Sequence, residues 1–469
     1  MNPLGWPVMR LLSHILGLLA LVVLTAQPAA AQSVLRDAET EAFLDEISAP
    51  LIEAAGLEPS NVDVVLINDP SINAFVAGGQ VVYIHSGLID AADTANEVQG
   101  VIAHELGHIT GGHIIRYGEG FQTAGRISIL SMLAGLGAVL AGAGEAGMGI
   151  MALGQQAAMS NFLSFTRTQE ASADAAGAEY LSKAGITGKG SLAFFGKLLN
   201  QETRRGIRQD DEAGFYRTHP LSGDRISKLK ETYEVDPAWD APLDEGWETR
   251  FQRVKAKLQG YVAKPEFTLR DYPETDTSTP ALLARAYAYH KEARIDRALA
   301  AADALIERSP EDPYFLELKG QVLLESGRPE EAVLPLRKAV ELSRAQPLIA
   351  SMLGHALIAT EDESHFEEAE RVLRAAVGRD RYNPFAWYQL GVVYAARGDM
   401  PRARLASAEQ QVMNRQYPLA LRSAQAAEAG LPFGSADWIR AQDIANEARA
   451  LMEQACEADK RACEGRRQR

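Results

Sequence analysis

The sequence predicts a mainly helical α+β protein, in which a first domain with a small β-sheet precedes an all-α repeat solenoid. Its 469 residues exceed the usual size of one domain. Between Asn61 and Ile89, β-branched runs surround Gly78 and Gly79, which is typical of short strands and tight turns. Beyond residue 280, small residues, aromatics and prolines recur about every 35 residues, a period typical of stacked helical pairs.

The first 31 residues have the features of a secretory signal. Arg10 precedes an apolar stretch over residues 11–24, and three alanines at 29–31 form a small-residue cleavage site. We therefore expect the exported protein to begin at Gln32. An uncleaved membrane anchor is the alternative, although the apolar stretch is short for a span.

Charge and cysteine content narrow the function classes. Cleavage of the signal leaves 46 basic and 62 acidic residues, a formal net charge of −16, which argues against nucleic acid as a partner. Cys456 and Cys463 are the only cysteines, and both lie near the carboxyl terminus, so the protein is not a disulfide scaffold. Whether they form a bridge stays open at this point.

Composition suggests where the domains begin and end. We expect a first domain over residues 32–270, a linker rich in Pro, Asp and Thr over 271–279, a repeat domain over 280–455 and a tail over 456–469. Within the first domain, apolar residues at helical spacing predict a helix from about Ala95 to Ile115.

Residues 127–159 are rich in Gly, Ala, Leu, Ile and Met, and Glu145 interrupts them. Three interpretations are open. The segment is a buried helical hairpin, a surface that makes peripheral contact with a membrane or an unfolded substrate, or a true membrane span. We expect the buried hairpin.

The repeats match the tetratricopeptide pattern. The best copy has the spacing W-x2-L-G-x2-Y, formed by Trp387, Leu390, Gly391 and Tyr394. Weaker copies precede it, and a capping helix is expected from Ser435 to about Cys456. Each unit buries its apolar face only against its neighbours, so the array predicts a solenoid that can hold protein partners.

The strongest chemical signal is the HExxH pattern formed by His104, Glu105 and His108. Four residues apart on a helix, the two imidazoles project from one face about 40° apart, close enough to share one ion. Zn²⁺ is the natural occupant of such a site. Glu105 lies between them, where it can take a proton from a water molecule that the metal activates.

A catalytic zinc needs a third protein ligand. His113 is one candidate, because some zinc sites extend HExxH to HExxHxxGxxH and take their third ligand from the last His. Gly111 matches the glycine of that pattern, but the third His would then fall at position 114, which is Ile114. We therefore expect His113 to be a helix-end residue or a partner of a ligand. Glu170 is the better candidate, and Asp174, one helical turn later, can orient a ligand imidazole through its second nitrogen.

These residues together resemble the HtpX and prenyl-protease family of zinc metallopeptidases, a gluzincin-type fold, over roughly residues 57–229. With the signal and the repeats, the whole chain resembles the BepA-like periplasmic proteases and chaperones of Gram-negative bacteria. The resemblance implies one Zn²⁺ per chain, held by His104, His108 and Glu170, with Glu105 as general base. It also implies a periplasmic location, misassembled outer-membrane β-barrel proteins as clients and the barrel-assembly machinery as a partner of the repeats.

His219 lies in a predicted loop after the second site helix. The matching His of BepA-like proteins can occupy the open zinc position and hold the enzyme latent, or stabilise the tetrahedral intermediate in an active state. A surface loop histidine is the alternative, and we expect a role at the metal, with inhibition ahead of catalysis.

A substrate-binding strand is expected next to the site. Gly79, Gln80, Val81 and Val82 are candidates for an edge strand, extending to Ile84, that pairs with an extended substrate, although a purely structural strand explains them equally well. His85 and the histidines of the repeats are expected to be structural.

Three functions remain in competition at this point. The leading one is a zinc endopeptidase of the cell envelope. The second is a repeat-domain chaperone or adaptor with latent or minor protease activity. The third is an integral membrane protease, which residues 127–159 suggest.

Overall fold

The computed structural model describes residues 33–113, 126–134, 144–205, 219 and 222–458. The expected signal segment and Cys463 lie outside the described residues. The mainly helical α+β architecture, with a small sheet before a helical array, is confirmed.

The first part of the chain forms four short strands and the helices that pack around them. In chain order these are β1 (Ser33–Val34), α1 (Ala38–Ala54), β2 (Asp63–Asn68), β3 (Ala74–Ala77), β4 (Val81–His85), α2 (Ser86–Ala91), α3 (Ala95–Thr110), α4 (126–134), α5 (Gly144–Lys183), α6 (Lys189–Arg205), α7 (Gly223–Glu234), α8 (Glu245–Val262) and α9 (Pro265–Asp271).

The sheet has the order β1-β2-β4-β3, with β2 and β4 parallel and the other pairs antiparallel. The expectation of an edge strand at Val81–Ile84 is therefore wrong, because β4 lies between β2 and β3. Val81 pairs with Asp63 on one side and with Ala77 on the other. Within the described residues, the strand at that edge is β3.

Helix α3 is the centre of the first core. Thr94 is its N-cap and accepts a hydrogen bond from the backbone N–H of Glu97, and the helix ends at Thr110, earlier than expected. Val98, Val101 and Leu106 are fully buried. A helix buried on all sides holds its polar side chains in fixed positions, so the fold makes α3 a rigid support for the HExxH residues.

For the described part of residues 127–159, which is 127–134 and 144–159, the expectation of a buried hairpin is wrong. Helix α4 and the first half of α5 pack against each other, with Gln155 Nε2 donating to Ser128 Oγ at 2.8 Å. Their large apolar side chains nevertheless face outward, with Leu130 66% and Leu153 68% exposed. None of the helices within the described residues has the length and apolar character needed to span a bilayer.

The repeat array consists of paired helices. They are α10 (Thr279–Lys291), α11 (Ile295–Arg308), α12 (Pro313–Glu325), α13 (Pro329–Leu342), α14 (Pro347–Ala359), α15 (Phe366–Arg379), α16 (Pro384–Ala396), α17 (Met400–Met413), α18 (Tyr417–Glu428) and α19 (Ala436–Ala458). Cys456, in α19, is disulfide-bonded.

Small residues allow the paired helices to pack closely. A Cβ on Gly320 would lie 2.4 Å from Leu336, and one on Gly354 would lie 2.5 Å from Leu373. The two glycines occupy equivalent places in successive helical pairs, so the repeated pattern of the sequence corresponds to a repeated contact.

The array also contacts the first part of the chain. Arg253 of α8 forms ion pairs with Glu39 at 2.6 Å and with Asp312, the N-cap of α12, at 2.8 Å. Nearby, Lys257 pairs with Asp37 at 2.5 Å. A cavity of about 510 Å³ lies at this junction, between the β1–α1 segment, α8 and the helices α12, α14 and α16.

Candidate metal centre

Two histidines of α3 lie on one face of the helix and point into the same space. His104 is 2% exposed and His108 is 8% exposed, so both are shielded from solvent. Their Nε2 atoms are 3.2 Å apart. One turn of helix thus brings two nitrogen donors within reach of a single ion.

Helix α5 brings Glu170 to these histidines. Its Oε1 lies 3.3 Å from His108 Nε2, and its Oε2 lies 3.5 Å from His104 Nε2. The approach of the helices depends on Gly107, because a Cβ there would lie 2.6 Å from the carbonyl oxygen of Ala173. The glycine inside the HExxH pattern therefore lets α5 reach the site.

His219 supplies a fourth donor from outside both helices. The residue is 5% exposed, and its Nδ1 lies 3.2 Å from His104 Nε2 and 3.2 Å from Glu170 Oε1. The donor atoms of His104, His108, Glu170 and His219 all lie within 4.8 Å of one another.

This donor set fits zinc. Tetrahedral coordination with bonds near 2.0–2.1 Å places neighbouring donors roughly 3.4 Å apart. The close donor pairs of this group are separated by 3.2 to 3.5 Å. Three imidazole nitrogens and one carboxylate oxygen are also ligand types that zinc accepts.

Glu105 is fully buried beside this group. Neither of its carboxylate oxygens has a hydrogen-bond partner within the described part of the chain. Oε1 lies 3.4 Å from Nε2 of His219. A buried carboxylate without a donor is poorly solvated, so it is well placed to accept a proton from a water molecule that enters the site.

Asp174 and Arg225 contact His104 and Glu170 on the side away from the other donors. Asp174 Oδ1 lies 3.0 Å from Nδ1 of His104, the nitrogen that faces away from the other donors. Arg225 donates to both oxygens of Asp174, at 2.7 and 2.8 Å, and lies 2.9 Å from Glu170 Oε2. The guanidinium group therefore fixes the relative position of the two carboxylates on α5.

Arg225 has no predicted role from sequence patterns. The available signal was its place six residues after His219, at the start of α7, where Ser222 is the N-cap. His219 and Arg225, six residues apart, thus supply a donor and the cation that contacts Glu170, another donor.

Buried charges dominate the electrostatics of the site. Burial would lower the pKa of His104, but Asp174 and Glu170 outweigh it and raise that pKa to about 10. Burial would raise the pKa of Glu170, but His219, His104 and His108 lower it well below its usual value. Arg225 and His104 likewise lower the pKa of Asp174 against the effect of burial. Both carboxylates are therefore held in their charged form, which metal binding requires.

His113 does not join the four donors. Its Nδ1 lies 3.0 Å from Nδ1 of His108, so it contacts the nitrogen of His108 that faces away from the group. The His113 ring packs against Gly111, where a Cβ would lie 2.4 Å from His113 Nε2.

The four strand candidates do not join the donors either. Gly79 and Gln80 lie in an exposed turn, and Val81 and Val82 are paired within the sheet. His85 is buried, and its Nδ1 lies 2.9 Å from Ser71 Oγ.

Comparison with known proteins agrees with this geometry. A model of peptidase family M48 matches residues 38–233. The amino-terminal domain belongs to peptidase family M48. The M48 domain makes the chain a metalloendopeptidase, and a tetratricopeptide-repeat model matches residues 283–347 and 354–419 behind it.

Curated relatives and solved structures match this chain over different lengths. The beta-barrel assembly-enhancing protease of Escherichia coli strain K12 is 23% identical over 416 residues, covering 88% of this chain and 83% of that protein. A relative from Vibrio cholerae is 26% identical over 290 residues, covering 61% of this chain and 59% of that protein. Among solved structures, YrrB, a TPR protein with an unusual peptide-binding site, is 22% identical and covers 37% of this chain and 91% of that chain at a TM-score of 0.31.

Proposed function

We propose that the protein is a zinc-dependent endopeptidase of the cell envelope that degrades misfolded or unassembled outer-membrane proteins. The observation that carries the proposal is the buried group of four converging donors beside Glu105. In this proposal His104, His108 and Glu170 hold one zinc ion per chain, and Asp174 orients His104.

Glu105 is the proposed general base. When bound, zinc polarises the scissile carbonyl and makes water a stronger nucleophile at neutral pH. Glu105 accepts the proton of the attacking water and returns it to the leaving amine nitrogen as the C–N bond breaks. Its position supports this role, because Glu105 is fully buried beside the four donors, where an attacking water would enter.

Strand β3 is the proposed binding strand for substrate. It is the strand at one edge of the sheet within the described residues, and it packs against α3, which carries the HExxH residues. Pairing along this edge would hold an extended polypeptide by its backbone, largely independently of its sequence.

His219 is the proposed latch. Its Nδ1 lies among the donor atoms, and its Nε2 faces the carboxylate of Glu105. The imidazole ring therefore occupies the position that the attacking water would take, next to the proposed base. A water molecule can enter only after the ring leaves.

We expect His219→Ala to raise the rate of proteolysis, because the substitution opens the fourth position while three donors remain. The measurement is the initial rate of cleavage of an unfolded polypeptide at saturating zinc. An unchanged or lower rate would exclude the latch and would favour a role for His219 in catalysis.

The clients and the location rest on the relatives and on the signal-like segment. The relative in Escherichia coli is named for enhancing β-barrel assembly, which supports unassembled outer-membrane β-barrel proteins as clients. Residues 1–31 support export to the periplasm. The repeat array, a type of surface that binds polypeptides, would then hold clients and contact the barrel-assembly machinery.

The second candidate function is a chaperone or adaptor in which the repeats hold clients and proteolysis is latent or minor. The position of His219 favours it, since a site closed by its own side chain is inactive at rest. The two functions separate by mutation, because Glu105→Gln removes the base without altering the repeats.

The decisive experiment compares cleavage of an unfolded outer-membrane barrel protein by zinc-loaded residues 32–469 and by the Glu105→Gln variant. Glu179→Gln, an exposed change on α5, is the matched control. We expect cleavage by the wild type and the control and none by Glu105→Gln, with client binding equal in all three. Cleavage by Glu105→Gln at the wild-type rate would refute the general-base role.

A further inference from the structure

Helix α4 and residues 144–160 of α5 form a surface that we call the apolar arm. Ala158 is buried, but the large side chains around it are exposed. Seven of them are 53% to 68% exposed, namely Ile129, Leu130, Met132, Leu133, Met148, Leu153 and Met159. A group of exposed large apolar side chains on one pair of helices commonly marks a surface that binds a partner.

The arm is almost free of charge. Arg126 and Glu145 are the only Asp, Glu, Lys or Arg residues between residues 126 and 166, although these types make up 23% of the chain. Four of the 10 methionines lie between residues 132 and 159. Flexible, polarisable methionine side chains adapt to apolar partners of different shape, so this composition suits binding without a fixed sequence.

The arm is continuous with the metal centre. Helix α5 runs unbroken from Gly144 to Lys183 and carries Glu170. Along the helix axis, Met159 lies about 16 Å and Leu153 about 25 Å from Glu170, at 1.5 Å per residue. An extended polypeptide covers these distances with roughly five to eight residues.

A lipid bilayer is the less suitable partner. Arg126, the first residue of α4, is the only Lys, Arg, Trp or Tyr between residues 126 and 166, so the arm has one cation and no interfacial aromatic to anchor it at a headgroup region. The overall negative charge would also oppose approach to anionic lipids. An unfolded polypeptide requires neither cationic nor aromatic anchor residues in order to bind an apolar surface.

We infer that the apolar arm binds apolar segments of the substrate polypeptide and selects cleavage sites that lie roughly five to eight residues away from such a segment. The inference rests on the proposed endopeptidase function. The arm would enrich unfolded chains, which expose apolar segments, over folded proteins, which bury them.

The test replaces four exposed side chains of the arm with glutamine, which keeps the helical propensity. The arm variant carries Met132→Gln, Leu133→Gln, Leu153→Gln and Met159→Gln. The control variant carries four apolar-to-glutamine changes at exposed positions outside both the arm and the repeat array, Val235→Gln, Leu243→Gln, Val262→Gln and Phe267→Gln.

Binding is measured first, in the Glu105→Gln background of residues 32–469, by fluorescence anisotropy of a labelled, unfolded outer-membrane barrel protein. Loss of four apolar contacts is expected to weaken binding by about tenfold or more, and the control should stay within about twofold of its parent. Equal affinity of the arm variant and its parent would overturn the inference. Because this assay needs no cleavage, it can contradict the inference about the arm without testing the endopeptidase proposal.

Cleavage is measured next, with Glu105 restored. For the unfolded protein, the arm variant should have a higher KM with little change in kcat. For a six-residue peptide taken from an observed cleavage site, kcat/KM should equal that of the wild type, because the peptide is too short to reach the arm. An equal loss on both substrates would show damage to the metal centre and would contradict a recruiting role.

Two other occupants are distinguished in parallel. Flotation with vesicles of phosphatidylethanolamine and phosphatidylglycerol tests a lipid surface, and sedimentation velocity tests a second copy of the chain. The inference requires that neither differs between the arm variant and its parent. Loss of vesicle binding or of a dimer, with polypeptide affinity retained, would assign the arm to that partner instead.

Discussion

At the scale of single residues, the geometry of the site depends on the four donors and also on the side chains that contact the second ring nitrogens of His104 and His108. Asp174 contacts Nδ1 of His104, and His113 contacts Nδ1 of His108. In the metal-bound site, a partner on the second nitrogen would fix the tautomer and the ring orientation, so that Nε2 presents its lone pair once metal binding has displaced its proton.

We expect His113→Phe to weaken zinc binding by about tenfold or more, because phenylalanine fills similar space but leaves His108 without its partner. Gly111→Ala should act in the same direction, since the new methyl would displace the His113 ring. Zinc affinity is measured by competition with a chromogenic chelator.

The matched control for this series is His365→Phe, a histidine of the repeat array that lies outside the donor group. Zinc affinity unchanged in both His113→Phe and Gly111→Ala would show that His113 does not position His108.

The sequence predicted some of these residues and not others for a physical reason. His104, Glu105 and His108 lie on one helix, so spacing alone predicts their common face. Glu170 could be proposed only as a candidate, because its distance to α3 depends on packing between helices. The contact of Arg225 with Asp174 depends on a third helix, and no local pattern encodes that contact.

At the scale of elements, the site depends on how closely α3 and α5 approach. Gly107 of α3 lies against the backbone of Ala173. In the same crossing, a Cβ added to Gly177 of α5 would lie 3.1 Å from the backbone of Ala103. Each helix therefore contributes one glycine to the crossing.

We expect Gly107→Ala to lower stability by about 1–3 kcal/mol, because the methyl would overlap backbone atoms that cannot move aside locally. It should also weaken zinc binding, since Glu170 moves with α5. Gly196→Ala is the control, because its Cβ meets no atom within 4 Å, and it should be neutral or raise stability by about 0.5–1 kcal/mol.

Thermal unfolding of the zinc-free protein gives the stability difference, and the chelator assay gives the affinity. Gly107→Ala with wild-type stability and affinity would mean that the close crossing does not position the site.

The strands illustrate what patterning can predict about elements. Alternating β-branched runs located β2, β3 and β4, but strand order is a property of pairing between distant segments. For that reason β4 was expected at an edge and lies inside the sheet. Residues 127–159 show the same limit, since an apolar helix that is exposed has the same composition as one that is buried.

At the scale of the whole molecule, buried charges join the two parts of the chain. Lys257 pairs with Asp37, and Glu317 of α12 lines the same junction at 6% exposure. The pKa of Glu317 is raised to about 8. Burial is the largest cause, and the charges of Asp37 and Glu39 add to it against the attraction of Lys257.

This shift makes the junction sensitive to pH. The ordinary pKa of a glutamate is 4.5, so between that value and about 8 the folded protein holds a proton that the unfolded chain releases. The contribution of Glu317 to the free energy of unfolding therefore falls as the pH rises through this window.

We expect Glu317→Gln, which mimics the protonated form, to raise the melting temperature relative to wild type at pH 9 and to leave it nearly unchanged at pH 4.5. The comparison at each pH isolates Glu317, because the other groups titrate in both proteins. A difference that is constant with pH would contradict the raised pKa.

The most direct test of the metal centre is the zinc content and affinity of residues 32–469, measured for the wild type, Glu105→Gln and Glu170→Gln. The donor group predicts about one zinc per chain in the first two, because Glu105 is not a ligand, and an affinity lower by about tenfold or more in Glu170→Gln. Absence of bound zinc in the wild type, or an unchanged affinity in Glu170→Gln, would contradict the account.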